Sequence, residues 1–529
     1  MAFYQRKPDI IIRNGTIVDG TGKMPYYADI AIIGDRIDYI GNLKGVSAPL
    51  EIDAHHKYVT PGFIDAHSHS DGTIFSHPEC QSAVRQGVTT EIVGNCGSTR
   101  LATNADSSVN YKGALAGVLD EAEQIGASMN TAWLCGHNTL RKLANCYTTD
   151  YTEEQFQLMT DLLREAMEAG FIGFSTGLEF IPGIVSRPDE VERLAMIAAE
   201  YDANYSTHMR DEGYYILEAV NEFLNVIRKT GMRGTVSHLN VKYDNGVPND
   251  YLFKGMQMLK DARDIEHLNV YADMLPTCFA SGGGTAMLPP WLYAEGWDKA
   301  KEILADPAGR QKVKNDMDRY WRFLAAGQWD RLLYIRPAND PEACRTPFAK
   351  LVEKSGKEPI DVFLDAVMNR DFLEEGFGMQ GIVFHEQIMV DSVVKDPIYL
   401  WQTDSSVCPD EGPLAEKCAN VQNYMSMSHF FVRYVRELGA ISIQDAVKKV
   451  GSLPAQHFML EGRGVLKVGN YADINVFDLN ALKINSTFDD PCQYSEGMDY
   501  VIVNGVPVIA QGEHTGKRAG RVLRHLPKK

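Results

Sequence analysis

Short runs of β-branched and other apolar residues, each ended by a glycine or an aspartate, occupy both ends of this chain. Such runs are typical of β-strands separated by tight turns. Near the N-terminus they cover residues 9–15, 16–19, 28–34 and 36–41, and near the C-terminus residues 465–469, 472–477 and 500–508. Two strand-rich ends around a long middle predict one small β-sandwich domain built from both termini, at residues 1–60 and 456–529.

Between residues 61 and 455 the pattern changes to strand-like segments that alternate with amphipathic helical ones. The strand-like segments cover residues 89–93, 130–134, 170–175, 203–207, 233–237, 269–273 and 397–401. The clearest helical patterns cover residues 152–169, 189–201 and 214–230. Repeated strand-then-helix units predict a parallel sheet, and about eight such units suit a TIM-like (β/α)8 barrel with insertions. A doubly wound sheet is the competing fold, but no GxGxxG or Walker sequence supports it.

The bulk composition argues against several classes of partner. The chain has 529 residues, 44% of them hydrophobic, and a formal net charge of −18, with no basic run before Lys528-Lys529. An acidic chain without a basic patch argues against nucleic acid and anionic membranes as partners. No apolar run reaches membrane-spanning length, and the N-terminus lacks a signal-like apolar segment. Nine scattered cysteines without a CxxC pair indicate reduced thiols. We therefore expect a cytoplasmic protein.

The most informative segment is Pro61-Gly-Phe-Ile-Asp-Ala-His67-Ser-His69, which follows a strand-like run at residues 58–60. In a strand, residues i and i+2 point to the same face. The two imidazoles can therefore reach one metal ion together.

Further polar residues come directly after later strand-like segments. Gly94-Asn-Cys96-Gly follows residues 89–93, and a histidine or an aspartate follows three others. In a barrel these carboxyl strand ends face one mouth, where active sites are built. The residues expected to converge there are His67, His69, Cys96, His208, His238 and Asp404.

Four imidazoles, one thiolate and one carboxylate form a ligand set that suits zinc. Six donors are too many for one four-coordinate ion and about right for two ions that share a ligand, for which the Cys96 thiolate is the natural choice. Asp404 would take a proton from the attacking water and pass it to the leaving nitrogen. Each residue alone also has a structural interpretation: a hydrogen-bonding histidine, a buried apolar cysteine, an aspartate that caps a helix.

With these motifs the chain resembles the amidohydrolase superfamily, and within it the N-acyl-D-amino-acid deacylase (D-aminoacylase) branch. Similar segments follow in family order through Gly173-Phe-Ser-Thr-Gly-Leu, Thr207-His-Met-Arg-Asp-Glu-Gly and the C-terminal tail, so the resemblance covers essentially the whole chain. It implies a (β/α)8 barrel, a β-sandwich from both termini and an insertion near residues 290–341. It also implies a tight zinc site at Cys96, His208 and His238, and a weaker second site at His67, His69, Cys96 and Asp404.

The chain departs from the family pattern where substrate should bind. The family's two tyrosines in Asp-x-Tyr-Pro-Tyr are replaced by Leu275 and Thr277, and a family arginine aligns with His429. The lysine of the family's Ser-His-x-Lys is replaced by Asn240, with Lys242 two residues later. The side chains left as candidate substrate-binding groups are Arg210, Lys242, Ser281 and His429.

These observations predict a zinc-dependent amidohydrolase that cleaves a carbon–nitrogen amide bond of a small molecule, most like an N-acyl-D-amino-acid deacylase. One alternative is hydrolysis of a cyclic or other specialised amide. The alternative from another class is an inactive metal-binding scaffold, which should have lost Asp404 or the His-x-His pair; neither is lost. We expect His137 and His385 to be structural.

Overall fold

Eight parallel strands form the centre of the molecule. The structure, a computed structural model, describes residues 4–102, 113–242, 246–248, 250–317, 322–336, 346–368, 378–382, 385–413, 415 and 420–526. In chain order the central strands are Phe63–Asp65, Val88–Val93, Asn130–Gly136, Gly173–Gly177, Asn204–His208, Arg233–Val236, Val270–Met274 and Tyr399–Trp401. They lie side by side in that order, which confirms the predicted parallel arrangement.

Hydrogen bonds between the first and last of these strands close the barrel. The backbone nitrogen of Ala66 donates to the carbonyl oxygen of Trp401 at 3.2 Å, and that of His69 donates to Ser405 at 2.7 Å. The predicted (β/α)8 barrel is therefore confirmed, and its closure brings the segment around His69 beside the segment around Ser405.

Helices surround the strands. The α-helices are Gln81–Val84, Ala114–Ile125, His137–Leu143, Glu153–Ala169, Pro188–Ala199, Ile216–Thr230, Asp250–Asp264, Trp297–Ala305, Pro307–Asn315, Phe348–Ser355, Pro359–Met368, Glu386–Met389, Gln422–His429, Ile443–Lys449 and Ser452–His457. The 3₁₀-helices are Ser70–Gly72, Gly183–Val185, Gly284–Met287, Pro290–Tyr293 and Trp329–Arg331, and the π-helices are Val390–Val394 and Phe430–Glu437. Among the described residues, no helix combines the length and apolar character needed to cross a membrane.

Capping contacts explain where the first of the three predicted helices begins and ends. The helix expected at residues 152–169 begins after Thr152, whose hydroxyl accepts from the backbone nitrogen of Gln155 at 3.2 Å. The side chain of Gln155 accepts from the Thr152 nitrogen at 2.9 Å, which completes a capping box. Gly170, with a φ of 104°, ends the helix.

The barrel interior is packed with small and branched apolar side chains. Phe458 and Leu460, which follow helix Ser452–His457, belong to the same cluster. The residues of this cluster that lie in the barrel strands are Ile64, Ile92, Ala132, Leu134 and Leu400, and Ala66 directly follows the first strand. This core leaves the carboxyl ends of the strands for polar side chains.

A second, nine-stranded sheet is built from both ends of the chain. In spatial order its strands are Glu513–His514, Val506–Ala510, Met498–Val503, Ile474–Phe477, Tyr58–Pro61, Ile10–Ile17, Tyr26–Ile33 and Arg36–Gly41, with Leu50–Asp53 also beside Ile10–Ile17. The predicted β domain from both termini is therefore present. Its predicted limits stay a prediction; residue 60 falls within one of its strands.

Two strand predictions were wrong in detail. Residues 465–469 form a turn and not a strand, because Gly464 and Gly469, with φ values of 74° and 91°, bend the chain at both ends. Residues 58–60 belong to the β domain, and the first barrel strand is Phe63–Asp65. His67 and His69 therefore lie beyond a strand and not within one.

A long connecting segment lies between the seventh and eighth barrel strands. It contains a four-stranded sheet with the spatial order Phe279–Gly283, Gly378–Ile382, Leu332–Arg336 and Thr346–Pro347. Helices Trp297–Ala305 and Pro307–Asn315 lie in the insertion predicted near residues 290–341, of which residues 318–321 and 337–341 lie outside the described residues.

A buried ion pair links the β domain to the barrel. Asp473 is 4% exposed and pairs with the guanidinium of Arg463, which is 6% exposed. Asp473 also accepts from the backbone nitrogen of Asn504 at 2.7 Å and from the Asn130 amide of the third barrel strand at 3.4 Å. Its carboxylate therefore neutralises a buried cation and joins two sheets.

Replacing Asp473 with alanine should destabilise the fold. The buried Arg463 cation would lose its counter-charge, which typically lowers the free energy of unfolding by about 3–5 kcal/mol. Denaturant unfolding of Asp473→Ala against the wild type measures the loss.

The double variant Arg463→Met/Asp473→Leu removes both charges and should be less destabilised. A double variant as unstable as the single one would contradict this account. Glu302→Ala, which breaks the exposed pair with Lys299, is the control and should leave the midpoint unchanged.

Candidate metal centre

The six predicted ligands lie at the carboxyl ends of the barrel strands. The first, second, fifth, sixth and eighth strands each contribute one or two of them. In chain order they are His67, His69, Cys96, His208, His238 and Asp404. The barrel closes between its first and eighth strands, so the His67–His69 segment lies against the segment that carries Asp404.

The Cys96 thiol is the centre of this cluster. Its sulfur lies 3.4 Å from His67 Nε2, 3.6 Å from His238 Nε2 and 3.9 Å from His208 Nδ1. The two histidine atoms His208 Nδ1 and His238 Nε2 are 3.0 Å apart. Three imidazoles thus surround one sulfur.

Asp404 joins the cluster from the eighth strand. Its Oδ1 lies 3.1 Å from His69 Nε2 and 3.5 Å from His67 Nε2. Asp404 and His69 are the more accessible members, with side chains 15% and 32% exposed, whereas the side chain of His67 is fully buried. The cluster therefore has a buried half around Cys96 and a solvent-facing half around Asp404.

Three of these residues have an unusual backbone conformation. Cys96, His238 and Asp404 have φ values of 50°, 35° and 50°, in the left-handed region that residues with a side chain seldom adopt. Such strain persists only where the surroundings enforce it, and it is concentrated at functional sites.

The turn that carries Cys96 is fixed by its neighbours. The hydroxyl of Ser175 donates to the carbonyl oxygen of Gly94 at 2.6 Å and accepts from the Gly97 nitrogen at 3.1 Å. A Cβ atom at Gly177 would overlap the carbonyl oxygen of Cys96. Glycine is therefore required beside this turn, and the position of the sulfur depends on the fourth strand.

The electrostatics of the cluster favour a thiolate. Burial alone would raise the pKa of Cys96, but the charge of His67 and hydrogen bonds from His208, His238 and His67 lower that pKa well below its usual value. For Asp404, burial is likewise outweighed by the His69 hydrogen bond and the neighbouring imidazoles, so its pKa lies below the usual range. Both shifts favour the anionic forms of Cys96 and Asp404.

Three carboxylates that the sequence analysis did not single out face the outer nitrogens of the histidines. Glu179 Oε2 lies 3.0 Å from His208 Nε2, Glu212 Oε1 lies 2.5 Å from His238 Nδ1, and Asp273 Oδ2 lies 3.5 Å from His67 Nδ1. Carboxylates in this position orient metal-binding imidazoles in known metal sites. Each carboxylate stands in or just after a motif already noted, at or just past a strand end, but the sequence does not show which histidine it faces.

The donor atoms fit a metal ion. Two groups of three donors lie within 4.8 Å of one another: His67, His69 and Cys96, and Cys96, His208 and His238. A thiolate with imidazoles is a typical ligand set for zinc. Glu179, His208 and Glu212 meet the same distance criterion, but the Glu212 carboxylate is already bonded to His238 and to the Lys242 ammonium.

The candidate substrate groups have partners within the protein. The Arg210 guanidinium forms two hydrogen bonds to Glu222, at 2.9 and 2.8 Å, and the buried Lys242 ammonium pairs with Glu212. Ser281 accepts from the amide of Asn420 at 3.1 Å.

His429, the remaining substrate-binding candidate, and the two histidines expected to be structural have other partners. Burial and the charge of Arg433 lower the pKa of His429 to about 4, so its imidazole is neutral. His137 Nε2 lies 2.7 Å from the buried carboxylate of Glu190. His385 caps helix Glu386–Met389 by accepting from the Gln387 nitrogen at 3.3 Å. The last two contacts are structural ones.

Comparison with known proteins gives consistent matches over nearly the whole chain. The model of the Amidohydrolase family matches residues 50–509. An N-acyl-D-glutamate deacylase of Alcaligenes xylosoxydans xylosoxydans is 29% identical over 98% of this chain and 97% of its own length.

Two solved structures have the same architecture. A D-aminoacylase described as defining a novel subset of amidohydrolases is 25% identical, with a TM-score of 0.80 over 98% of this chain and 99% of that one. An N-acyl-D-glutamate deacylase from Bordetella bronchiseptica, complexed with zinc and a phosphonate inhibitor that mimics the tetrahedral intermediate, is 27% identical. Its TM-score is 0.79 over 98% of this chain and 100% of the other.

Proposed function

Because this chain belongs to the amidohydrolase family, we propose that it is a zinc-dependent hydrolase of a carbon–nitrogen amide bond, most like an N-acyl-D-amino-acid deacylase. One observation carries the proposal: a buried thiolate lies within 3.4–3.9 Å of three imidazoles, with a carboxylate beside them at the barrel mouth. Inactive scaffolds have no need to keep that carboxylate. The substrate is a small-molecule amide.

Two overlapping metal positions account for the six donors. Cys96, His208 and His238 form the tight site, because they are buried and two of them have a carboxylate on the outer ring nitrogen. His67, His69, Cys96 and Asp404 form a second, more exposed site. A shared thiolate explains why one cysteine lies near both groups.

Proton transfer is the role of Asp404. A zinc ion held by these residues would polarise an amide carbonyl and lower the pKa of bound water towards neutrality. The carboxylate of Asp404 accepts a proton from the attacking water and donates it to the amide nitrogen as the carbon–nitrogen bond breaks. The products are a carboxylate and an amine. His69 orients Asp404 through the 3.1 Å contact with Oδ1, and the lowered pKa of Asp404 favours the deprotonated carboxylate that the proton transfer needs.

A cytoplasmic location is part of the proposal. It is supported by the cysteines, since those in the described part of the chain are all free thiols. A reducing compartment would keep the Cys96 thiolate available as a ligand.

Cys96 should be essential for metal binding. Elemental analysis of the purified wild type should give about one to two zinc ions per chain, and Cys96→Ala should lose most of that zinc because both sites lose their shared ligand. Cys492→Ala, which replaces a cysteine far from the cluster in sequence and only half-buried, is the control and should keep its zinc. Full zinc retention in Cys96→Ala would exclude the bridging role.

Asp404 should be essential for turnover and not for the tight metal site. Asp404→Asn keeps the size of the side chain and removes its basicity, so kcat should fall by roughly 10²–10⁴-fold or more while most of the zinc remains. Asp391→Asn, at an exposed carboxylate, is the matched control. Near-normal turnover of Asp404→Asn would assign the proton transfer to another group, and His385 would be tested first.

The substrate is proposed to be less charged, or bulkier, than a simple N-acyl-D-amino acid. A bidentate arginine holds a carboxylate best, and here Arg210 is paired with Glu222, Lys242 with Glu212, and His429 is neutral. To bind Arg210 or Lys242, a substrate carboxylate would have to break one of these two ion pairs. A substrate with a neutral group beside the scissile amide needs no ion pair to break. A cyclic amide has no free carboxylate at that position either.

Steady-state kinetics on a matched pair of substrates tests this. We expect kcat/KM for N-acetyl-D-leucine to lie below about 10⁴ M⁻¹s⁻¹ and to rise for N-acetyl-D-leucinamide, which differs only in its neutral terminal amide. Dihydrouracil serves as the cyclic amide. An efficient reaction with the free acid, without gain from the neutral substrate, would show that the ordinary family activity stands.

A further inference from the structure

Lys242 lies in a buried network behind the metal-binding histidines. The residue is 2% exposed, and its ammonium pairs with the carboxylate of Glu212, which is also 2% exposed. The other oxygen of that carboxylate, Oε1, lies 2.5 Å from His238 Nδ1. The carboxylate therefore stands between an ammonium on one side and a proposed metal ligand on the other.

A second carboxylate couples this network to the other histidine of the tight site. Glu179 Oε2 lies 3.0 Å from His208 Nε2, and Glu179 Oε1 accepts from the backbone nitrogen of Glu212 at 3.0 Å. The ring nitrogens that face the sulfur are His208 Nδ1 and His238 Nε2. The orientation of both imidazoles thus depends on two glutamates that are themselves bonded to each other.

We propose that Lys242, Glu212 and Glu179 are positioning residues of the tight metal site, and that Lys242 acts through Glu212 and does not bind substrate. This inference rests on the proposed zinc site at Cys96, His208 and His238. It reassigns Lys242, which the sequence analysis considered as a substrate-binding group.

The charges explain why the lysine is needed. A buried carboxylate is costly unless a cation pairs with it. The Lys242 ammonium pairs with Oε2 of Glu212 and offsets that cost, and Oε1 accepts a charge-assisted hydrogen bond from the Nδ1–H of His238. This bond fixes the His238 tautomer that presents Nε2 to the metal and raises the basicity of that nitrogen.

Geometry adds a second reason. The ammonium holds Oε2 of Glu212, and the Asn240 amide lies 3.4 Å from the same oxygen. With Oε2 held, Oε1 can only face His238. Lys242 therefore sets the rotation of the carboxylate as well as its charge.

Zinc affinity is the readout that distinguishes positioning from substrate binding. Apo-protein is titrated with Zn²⁺ against a chromogenic chelator, and kcat and KM are measured on the zinc-loaded enzyme. Glu212→Gln and Glu179→Gln should weaken zinc binding by about 10–100-fold, as loss of a partner behind a ligand typically does. Lys242→Met should weaken it by about 10-fold, with a fall in kcat at saturating zinc and little change in KM.

The double variant Glu212→Gln/Lys242→Met tests the coupling. With the carboxylate already neutral, removal of the lysine should add little, so the double variant should bind zinc about as well as Glu212→Gln alone. Glu222→Gln is the matched control, since the Glu222 carboxylate, on helix Ile216–Thr230, pairs with Arg210 and has no hydrogen bond or ion pair with the proposed ligands among the described residues. Its zinc affinity should match the wild type.

The outcomes separate this inference from the proposed function. If Lys242→Met raised KM and left zinc affinity unchanged, Lys242 would be a substrate group and the inference would be wrong, although the zinc hydrolase would stand. If the wild type bound no zinc, the proposed function itself would fail. Circular dichroism of each variant verifies the fold, and Glu179→Gln decides the outcome should Glu212→Gln not fold.

Discussion

A negative charge on a buried sulfur is the constraint on which the rest of this site depends. An ionised group inside a protein must be paired, and Cys96 is paired with imidazoles that come from the first, fifth and sixth barrel strands. Those imidazoles are buried too, so each needs a partner on its outer nitrogen. Glu179 and Glu212 meet that need for His208 and His238, and Asp273 lies 3.5 Å from the outer nitrogen of His67. One thiolate thus determines the polar character of most of the barrel mouth.

The six candidate ligands could be predicted from the sequence, because the carboxyl ends of parallel strands converge whatever the details of packing. The carboxylates behind them could not, since their roles depend on which strand ends are neighbours. Glu212, for example, is four residues from His208 in sequence yet faces His238. Arg210 and Lys242 likewise look like free cations in the sequence, and only the fold shows that each faces a glutamate.

The fold was predictable for a similar reason. Its prediction failed where local composition did not determine the structure. Alternation of strands and helices predicted the barrel, and β-branched runs predicted most strands of the β domain. Residues 465–469 have the composition of a strand but lie between two glycines with positive φ, so composition alone misassigned them. The His67–His69 pair reaches the cluster even though it lies past the end of a strand, because backbone bonds to the eighth strand hold that segment.

The pairing of distant segments has a consequence for synthesis. Tyr58–Pro61 is hydrogen-bonded to Ile474–Phe477, more than four hundred residues later, and Ala66 is bonded to Trp401. At translation rates of about 5–20 residues per second, the first strands wait on the order of tens of seconds for these partners. Their exposed apolar edges are open to wrong association during that interval. The ribosome must therefore release the chain past Ser405 before the barrel closes, and past His514 before the sheet of the β domain is complete. Folding at low temperature or with chaperones present should improve recovery from an expression host.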